Sequence, residues 1–536
     1  PLGPPKTSSR SLPQFQFVSF SAFQFFRMRF HDLDALRATA MLLGILLHAA
    51  ASFIDLPIWP AQDINANDAV FGIFNDAIHG FRMPLFFLVS GFFTAMLAKK
   101  RGLRALAKHR TKRVLLPLVI GWFVFGFPIY IIAAYGAYNK SQSPTDNTPQ
   151  AEAGSRSQKT DSPPLLEATL AGDTGRVRAL LESGADVSTT GPDGNQPLHT
   201  AAFLGHADIT RLLLEHDADP EAKNNKGDTP LAGAHAPWWL TERIGSMLQI
   251  ELDRETVESG RTEIILLLME HGATPIDPGA SDSAGLTAFF ALLAFMPLFH
   301  HLWFLYYLLW LVATYILLTK SLRKISAPRL PDVLLSTPGC LVWLVPLTLL
   351  PQSAMKMGFG PDTASGLLPW PPIIGYYAIF FFFGAACFGR TVFHDKAGRL
   401  WPLYLIACIP LLLVGTGVID IGDNHLLYSL VTAAYAWLMT FASIGLFRQF
   451  FHSENRHLRY ISDASYWLYL AHLPLVMALQ IIVARWDIPA WIKFTGICAL
   501  TYAVLILIYE YAIRYTWAGT LLNGKKVRIP KLPTTQ

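Results

Sequence analysis

Residues 33–50 read LDALRATAMLLGILLHAA. The run is apolar enough to cross a bilayer, yet it carries Asp34 and Arg37 at one end and His48 near the other. Arg37 and His48 are eleven residues apart. On a helix that spacing is three turns plus about 20°, so both lie on one stripe, roughly 16 Å apart along the axis. Asp34 sits one turn before Arg37 and is placed to pair with it. Ionisable groups inside a span face the protein interior or a wet cavity rather than lipid. The stretch therefore reads as a membrane helix with a polar stripe turned inward.

The whole chain agrees. Of 536 residues, 52% are hydrophobic and only 15% are charged, where soluble domains carry about 45–50% and roughly 25%. A soluble globular protein is excluded, and the aromatic content of 13% suits interfacial Trp and Tyr belts. A span needs ~20 mostly apolar residues. Ten stretches qualify: 34–53, 80–97, 114–135, 302–319, 333–351, 372–391, 401–420, 425–447, 464–484 and 491–514. An eleventh, 286–299, is short, holds Pro297, and reads as re-entrant or interfacial. The fold class is thus all-α, a polytopic bundle of about ten transmembrane helices.

Basic segments follow every second span: KKRGLRALAKHRTKR (99–113), TKSLRK (319–324), GRTVFHDKAGR (389–399), FRQFFHSENRHLR (447–459) and GKKVR (524–528). If 286–299 does not cross, all five fall on one side, which is the cytoplasmic one, and both termini lie there. The net charge of +5 thus reports orientation, and no nucleic-acid partner is expected. The location is a bacterial-type inner or plasma membrane. No cleavable signal peptide stands out. The opening PLGPPKTSSR reads as linker sequence, and Met28 makes a natural start.

Residues 139–283 differ in kind. A polar linker leads to PLLEATLAGDTGRVRALLESGAD from Pro164, PLHTAAFLGHADITRLLLEHDAD from Pro197 and PLAGA from Pro230, an offset of 33 residues each time. Ala168/Ala201, Gly172/Gly205 and Asp186/Asp219 fall in register. The period and the QPLHTA core resemble the ankyrin repeat, two short helices and a turn per unit. The third repeat is interrupted. Its second helix is expected from Gly260, and the amphipathic residues 237–259 lie either on a membrane or transmembrane surface or on their own repeat. By the charge rule the insert is extracytoplasmic, and a protein partner or second subunit is its expected ligand. The chain then divides into a tail (1–29), a first transmembrane part (30–138), the insert (139–283), a second transmembrane part (284–520) and a cytoplasmic tail (521–536).

Other charged residues recur within the apolar segments. HGFRMPLFFLVSGFF (79–93) puts His79 and Arg82 at i,i+3 near the outer end of the second span, with Ser90 and Gly91 permitting a bend or a close backbone approach. Arg110 and Arg113 open the third span on one face. Such a pair suits phosphate recognition or only anchors the helix at the inner surface. Cys340, Cys387, Cys408 and Cys498 all lie in apolar runs without metal-ligand spacing and read as small core residues. No phosphate-binding GxxxxGK[ST] loop, paired-cysteine site or HExxH occurs, so no metal is expected.

Five pieces, in order, carry a resemblance: LDALRATAMLLGILLH (33–48), RMPLFFLVSGFF (82–93), RTKR (110–113), HLWFLYYLL (301–309) and SYWLYLAHLPLV (465–476). Together they resemble the acyltransferase-3 family of integral membrane acyltransferases, and within it the branch that succinylates periplasmic glucans. The resemblance covers about 30–135 and 286–520; the ankyrin insert departs from the family's usual plan. It implies transfer of an acyl group from cytoplasmic acyl-CoA, acetyl-CoA or succinyl-CoA, to a hydroxyl of an extracytoplasmic carbohydrate. Arg110, Arg113 and Arg37 would then hold the donor's phosphates and His48 would act as general base. Arg82 would tune His48 or stabilise an oxyanion. His79 and Ser90 are expected near the substrates. His301 and Trp303 would line the acceptor entrance or anchor the interface. His472 would contact substrate or be a core histidine. Glu510 and Arg514 read as an intrahelical pair, or as part of the donor mouth. The competing readings are a transporter, channel or receptor with an ankyrin interaction domain.

Overall fold

The computed structural model describes residues 30–54, 59–63, 68–141, 163–191, 193–225, 227–238, 241, 244–245, 252–275, 298–322, 331–355, 358–363, 366–390, 393, 396–422, 424–524 and 526. Among them every regular element is helical. The chain forms two compact units, Pro1–Gln142 with Leu293–Gln536, and Ser143–Leu292.

Among the described residues of the first unit, six helices are long and apolar enough to cross a bilayer: His31–Phe53, Ala69–Gly136, His300–Ser321, His425–Phe450, Arg456–Val483 and Ala490–Ile513. Ala69–Gly136 holds two of the expected spans, because it doubles back. Gly102 adopts φ 80°, ψ 166° in its interior, a conformation that a side chain would strain. Arg110 Nη2 donates to Thr94 Oγ1 at 2.6 Å, although sixteen residues of straight helix would separate them by about 24 Å. Three further apolar helices, Leu341–Gln352, Pro371–Cys387 and Trp401–Gly415, are shorter. The stretch 333–351 begins with a 3-10 turn, Asp332–Leu335, before its helix starts, and the helix expected over 401–420 stops at Gly415. Of the eleventh apolar stretch, 286–297 lies outside the described residues.

The interior of this unit is aromatic. Phe380 stacks on Trp437 at 4.0 Å, and Trp437 Nε1 donates to Thr348 Oγ1 at 2.9 Å. The outward faces are also apolar: Phe123, Phe127, Leu403, Ile406 and Leu507 are all exposed. An element that is greasy on both faces fits a lipid surround. The three most buried cysteines, Cys340, Cys387 and Cys408, are core residues and all four thiols are free. The Ala69–Arg110 and Pro371–Cys387 helices cross at their glycines. A Cβ on Gly91 would run into the Phe381 carbonyl, and one on Gly384 into the Leu88 carbonyl. This is small-residue packing, in which backbones touch.

Among its described residues the second unit has three helix pairs: Pro164–Leu170 with Thr174–Glu182, Pro197–Leu204 with Ala207–Glu215, and Pro230–Ala234 with Arg254–Glu270. Leu198, Ala201, Leu213, Ile264 and Leu268 form its core. The last helix starts at Arg254, capped by Asp253, whose carboxylate accepts from Thr256 N at 2.9 Å, and not at Gly260. Glycine is costly inside a helix, which makes Gly260 look like a boundary. It is needed because a Cβ there would strike the Gly205 carbonyl. The described part of 237–245 packs on its own repeat: Arg261 donates to Ala236 O at 2.6 Å and to the buried Thr241 Oγ1 at 2.7 Å.

Two predictions follow from this packing. Gly91→Val or Gly384→Val will destabilise the protein by about 1–3 kcal/mol or more, read as a lowered melting temperature in detergent, while the same change at Gly496, which faces open space, will cost little. In the ankyrin unit, burial holds the His199 and His206 imidazoles below their usual value. His199 Nδ1 accepts from Gln196 N at 3.3 Å, and its Nε2 meets Asp228 O at 3.1 Å. The neutral ring is the one that folds, so its stabilisation is complete above the unfolded value of about 6.5 and is lost as pH falls below it. Hydrogen exchange across 197–214, corrected for intrinsic rate, will be faster at pH 5 than at pH 7.5.

Candidate active site

The His31–Ala50 helix begins with Asp32 and Asp34 in its first turn, where carboxylates favour the positive end of the helix dipole. Arg448 meets Asp32 at 3.5 Å, and Arg37 meets Asp34 at 3.5 Å, the pairing expected from their spacing. The polar stripe faces inward. Gly44, one turn before His48, forms a notch for Arg82 of the Ala69–Arg110 helix. A Cβ at Gly44 would collide with Arg82 Nη1 and would stand 3.9 Å from His472 Nε2.

Three imidazoles surround this guanidinium. The His48 and His472 ring centroids are 5.2 Å apart, and those of His472 and His301 are 5.1 Å apart. His472 Nδ1 lies 3.1 Å from Leu468 O and 2.8 Å from Tyr469 O. A carbonyl only accepts, so Nδ1 carries the proton and Nε2 is a bare lone pair. His301 is the mirror case: Nε2 donates to Leu470 O at 3.1 Å, leaving Nδ1 bare. His472 Nε2, His301 Nδ1 and Arg82 Nε are all buried without a hydrogen-bond partner. His48 is only half-buried. Trp59 lies parallel to its ring, 3° apart in plane and 6.0 Å between centroids. The buried Gln480 ties this together. Its Nε2 donates to His48 O at 2.9 Å and Ala49 O at 3.1 Å, and its Oε1 accepts from Trp59 Nε1 at 3.2 Å. The loop that carries Trp59 is held by a fully buried ion pair, Lys493 Nζ to Asp63 at 2.6 Å.

A second polar cluster forms around the Gly102 reversal. Arg110 donates to Thr94, and Arg37 lies over the adjacent Phe93 ring at 5.9 Å, so the two arginines converge on one turn. Tyr466 OH donates to the Arg113 carbonyl at 2.8 Å. Among the described residues neither Arg110 nor Arg113 has a carboxylate within ion-pair distance. Arg113 lies in a π-helical turn, Thr111–Leu115, a local widening common at functional sites. Tyr466 of the basic cluster and His472 of the imidazole cluster lie six residues apart on the Arg456–Val483 helix, about 9 Å along its axis.

The remaining expected residues divide. His301 and Trp303 are both buried. His301 joins the imidazole cluster, while Trp303 packs 5.4 Å from Tyr377 and anchors no interface. His79 Nε2 donates to Pro361 O at 2.9 Å, which commits it to a loop. Ser90 is half-buried two turns beyond Arg82, with no described contact to the cluster. Glu510 and Arg514 form the intrahelical pair, at 2.6 Å. Sequence reasoning missed Gly44, Trp59, Tyr466, Gln480 and the Asp63–Lys493 pair. Tyr466 had a signal, since it stands in the SYWLYLAHLPLV stretch. The others depend on groups that are distant in the chain: Gly44 meets Arg82 of the next helix, and the rest join residues hundreds of positions apart.

Among the described residues no group of three or more His, Cys, Asp or Glu is placed to hold a metal ion. A guanidinium facing bare imidazole nitrogens, linked through the Arg456–Val483 helix to arginines that have no carboxylate at ion-pair distance among the described residues, suits proton abstraction beside an anionic ligand.

Residues 30–153 and 264–510 match a family model described as an acyltransferase domain, and residues 152–235 match ankyrin repeats in three copies. Over 121 residues the chain is 33% identical to the glucans biosynthesis protein C of Salmonella paratyphi B, and equally to those of Salmonella heidelberg and Salmonella enteritidis PT4. That stretch is 22% of this chain and 30% of each relative, so the chain spans under a third of their length. The chain therefore belongs to the acyltransferase-3 family, with ankyrin repeats set into it.

Proposed function

We propose that this protein moves an acetyl or succinyl group from cytoplasmic acyl-CoA to a hydroxyl of an extracytoplasmic glycan, with His48 as general base. The observation that carries this reading is the pairing of the two polar clusters. Arg110 and Arg113 have no described carboxylate partner, and Arg37 converges on them; three guanidiniums at one mouth suit the phosphates of a nucleotide. The imidazole cluster stands about 9 Å further along the Arg456–Val483 helix, a distance that an extended thiol arm bridges. The relatives' name points to glucans as the acceptor class.

The donor supplies an acyl thioester. His48 takes the proton from the acceptor hydroxyl while the oxygen forms its bond to the acyl carbon. Arg82, notched against Gly44, faces the carbonyl oxygen where negative charge develops. The carbon–sulfur bond breaks, and His48 returns the proton to the departing thiolate. The reaction is a direct transfer, for which no cysteine or serine nucleophile is required. The half-buried His48 and the Trp59 loop would face the glycan, on the side away from the basic turn.

Orientation follows the same logic. The basic segments at 99–113 and 447–459 lie on the cytoplasmic side, as do both termini. The reversal at Gly102 sends the chain back across, so the ankyrin insert stands outside, where it would hold a protein partner or a second subunit.

Three measurements test this. Arg110→Ala with Arg113→Ala will weaken acyl-CoA binding tenfold or more, by roughly 1.4 kcal/mol at least; unchanged affinity would refute the donor site. His48→Ala will bind acyl-CoA normally but lose turnover by about 10²–10⁴-fold; retained turnover would remove the general-base role. Protease added outside sealed cells will cut within 139–162, and protection there until lysis would reverse the orientation.

A further inference from the structure

The transfer scheme uses one of three imidazoles and leaves two bare nitrogens inside the protein without a task. His472 is the more informative. Its Nδ1–H is committed to the Leu468 and Tyr469 carbonyls, and its unpartnered Nε2 is buried. A buried acceptor with no donor is costly, and retaining one implies that a donor arrives. Four groups face it: Arg82 from the Ala69–Arg110 helix, His48 from the His31–Ala50 helix, His301 from the 300–302 turn, and Tyr469 on its own helix. Tyr469 OH is already committed, donating to His301 O at 2.7 Å. His301 Nε2 is committed to Leu470 O, and its other nitrogen carries no proton to give. In the proposed transfer Arg82 serves the carbonyl oxygen of the acyl group, so His48 is the remaining group that can donate, and no described hydrogen bond holds its ring.

The spacing fits. Two imidazoles joined N to N at roughly 3 Å have ring centres about 5 Å apart, and the His48 and His472 centroids are 5.2 Å apart. The two ring planes are 27° apart, so a turn of the half-buried His48 ring is what would bring its N–H onto His472 Nε2. We infer that His472 is the positioning residue of the base: its Nε2 accepts the His48 N–H, so that the opposite nitrogen of His48 presents its lone pair to the acceptor hydroxyl. The series then runs from acceptor hydroxyl to His48, from His48 N–H to His472 Nε2, and from His472 Nδ1–H to the Leu468 and Tyr469 carbonyls. As the acceptor proton moves to His48, the resulting imidazolium keeps its other N–H on His472. No proton leaves the pair until His48 delivers it to the departing sulfur. The role is that of an orienting carboxylate in a triad, built from a neutral ring that hydrocarbon tolerates better than a second charge. The inference rests on His48 being the base.

The test uses the full chain in bilayers, with acetyl-CoA and succinyl-CoA as donors, a glucan oligosaccharide as acceptor, and three variants. His472→Gln keeps an acceptor oxygen, and His472→Leu removes it at similar volume. His472→Leu will lower kcat about 100-fold with KM for the donor little changed. It will also shift the acid limb of the kcat/KM profile to lower pH, because a base deprived of its acceptor is weaker. His472→Gln will recover most of kcat and return the limb toward its original position. Ring-labelled ¹⁵N spectra will show a bare His472 Nε2 whose resonance moves in His48→Ala. A merely structural histidine would leave the limb in place, and Gln would rescue no better than Leu. Wild-type kcat and pH profile in His472→Leu overturn the inference alone, provided that His48→Ala is inactive. Full activity in His48→Ala overturns both the inference and the base assignment beneath it.

Discussion

A guanidinium placed within a membrane bundle is the constraint around which the rest of this unit is arranged. At the centre of a bilayer helix an arginine costs about 2.5–3.5 kcal/mol on insertion scales and more in isolation. Among the described residues Arg82 has no carboxylate at ion-pair distance to offset that cost. It is accommodated by shape. Gly44 leaves a notch in the facing helix, the aromatic interior shuts out lipid, and neutral imidazoles with bare nitrogens stand around it. Such a site stores an unfavourable arrangement in the resting protein, which strained or unsatisfied groups do mainly where function requires it. The close backbone crossing at Gly91 and Gly384 fixes the helix that carries Arg82.

On the proposed reading, the two polar clusters divide the labour of a reaction whose substrates approach from opposite sides of a membrane. One is basic and gathers arginines at the Gly102 reversal, two of them without a carboxylate at ion-pair distance among the described residues. The other is mostly neutral and able to move protons. They share the Arg456–Val483 helix, with Tyr466 at one cluster and His472 at the other, and also the His31–Ala50 helix, with Arg37 and His48. Both helices therefore fix the spacing between the basic cluster and the imidazole cluster, and neither can shift along its axis without changing it.

Much of this was legible in the chain. The stripe of Arg37 and His48 could be read from helix geometry, because a buried helix in lipid has only one reason to carry ionisable groups on a single face. The all-helical class followed from composition, and the insert from its period. Span lengths were less legible. Residues 333–351 and 401–420 are apolar for most of their length, but hydropathy does not register where a helix begins or stops. Gly260 misled for a related reason: glycine marks either a boundary or a close approach, and only the facing Gly205 turn distinguishes them. Gly44 was silent altogether, since a glycine in an apolar run gives no hint of what presses against it. Gln480, Trp59 and the Asp63–Lys493 pair were equally hidden, because no local pattern encodes partners that meet only after the bundle closes. His472 was visible as a residue, but its tautomer comes from two carbonyls on its own helix.

The central claim is that a thioester gripped at the arginine mouth reaches an imidazole that deprotonates its acceptor. The most direct measurement is a density map of the protein in lipid with a non-transferable thioether analogue of acyl-CoA. Phosphate density against Arg110 and Arg113, with the arm running past Tyr466 and the acyl carbonyl ending between Arg82 and His48, is the result expected. An analogue bound elsewhere, or one whose acyl end stops far from His48, would contradict it.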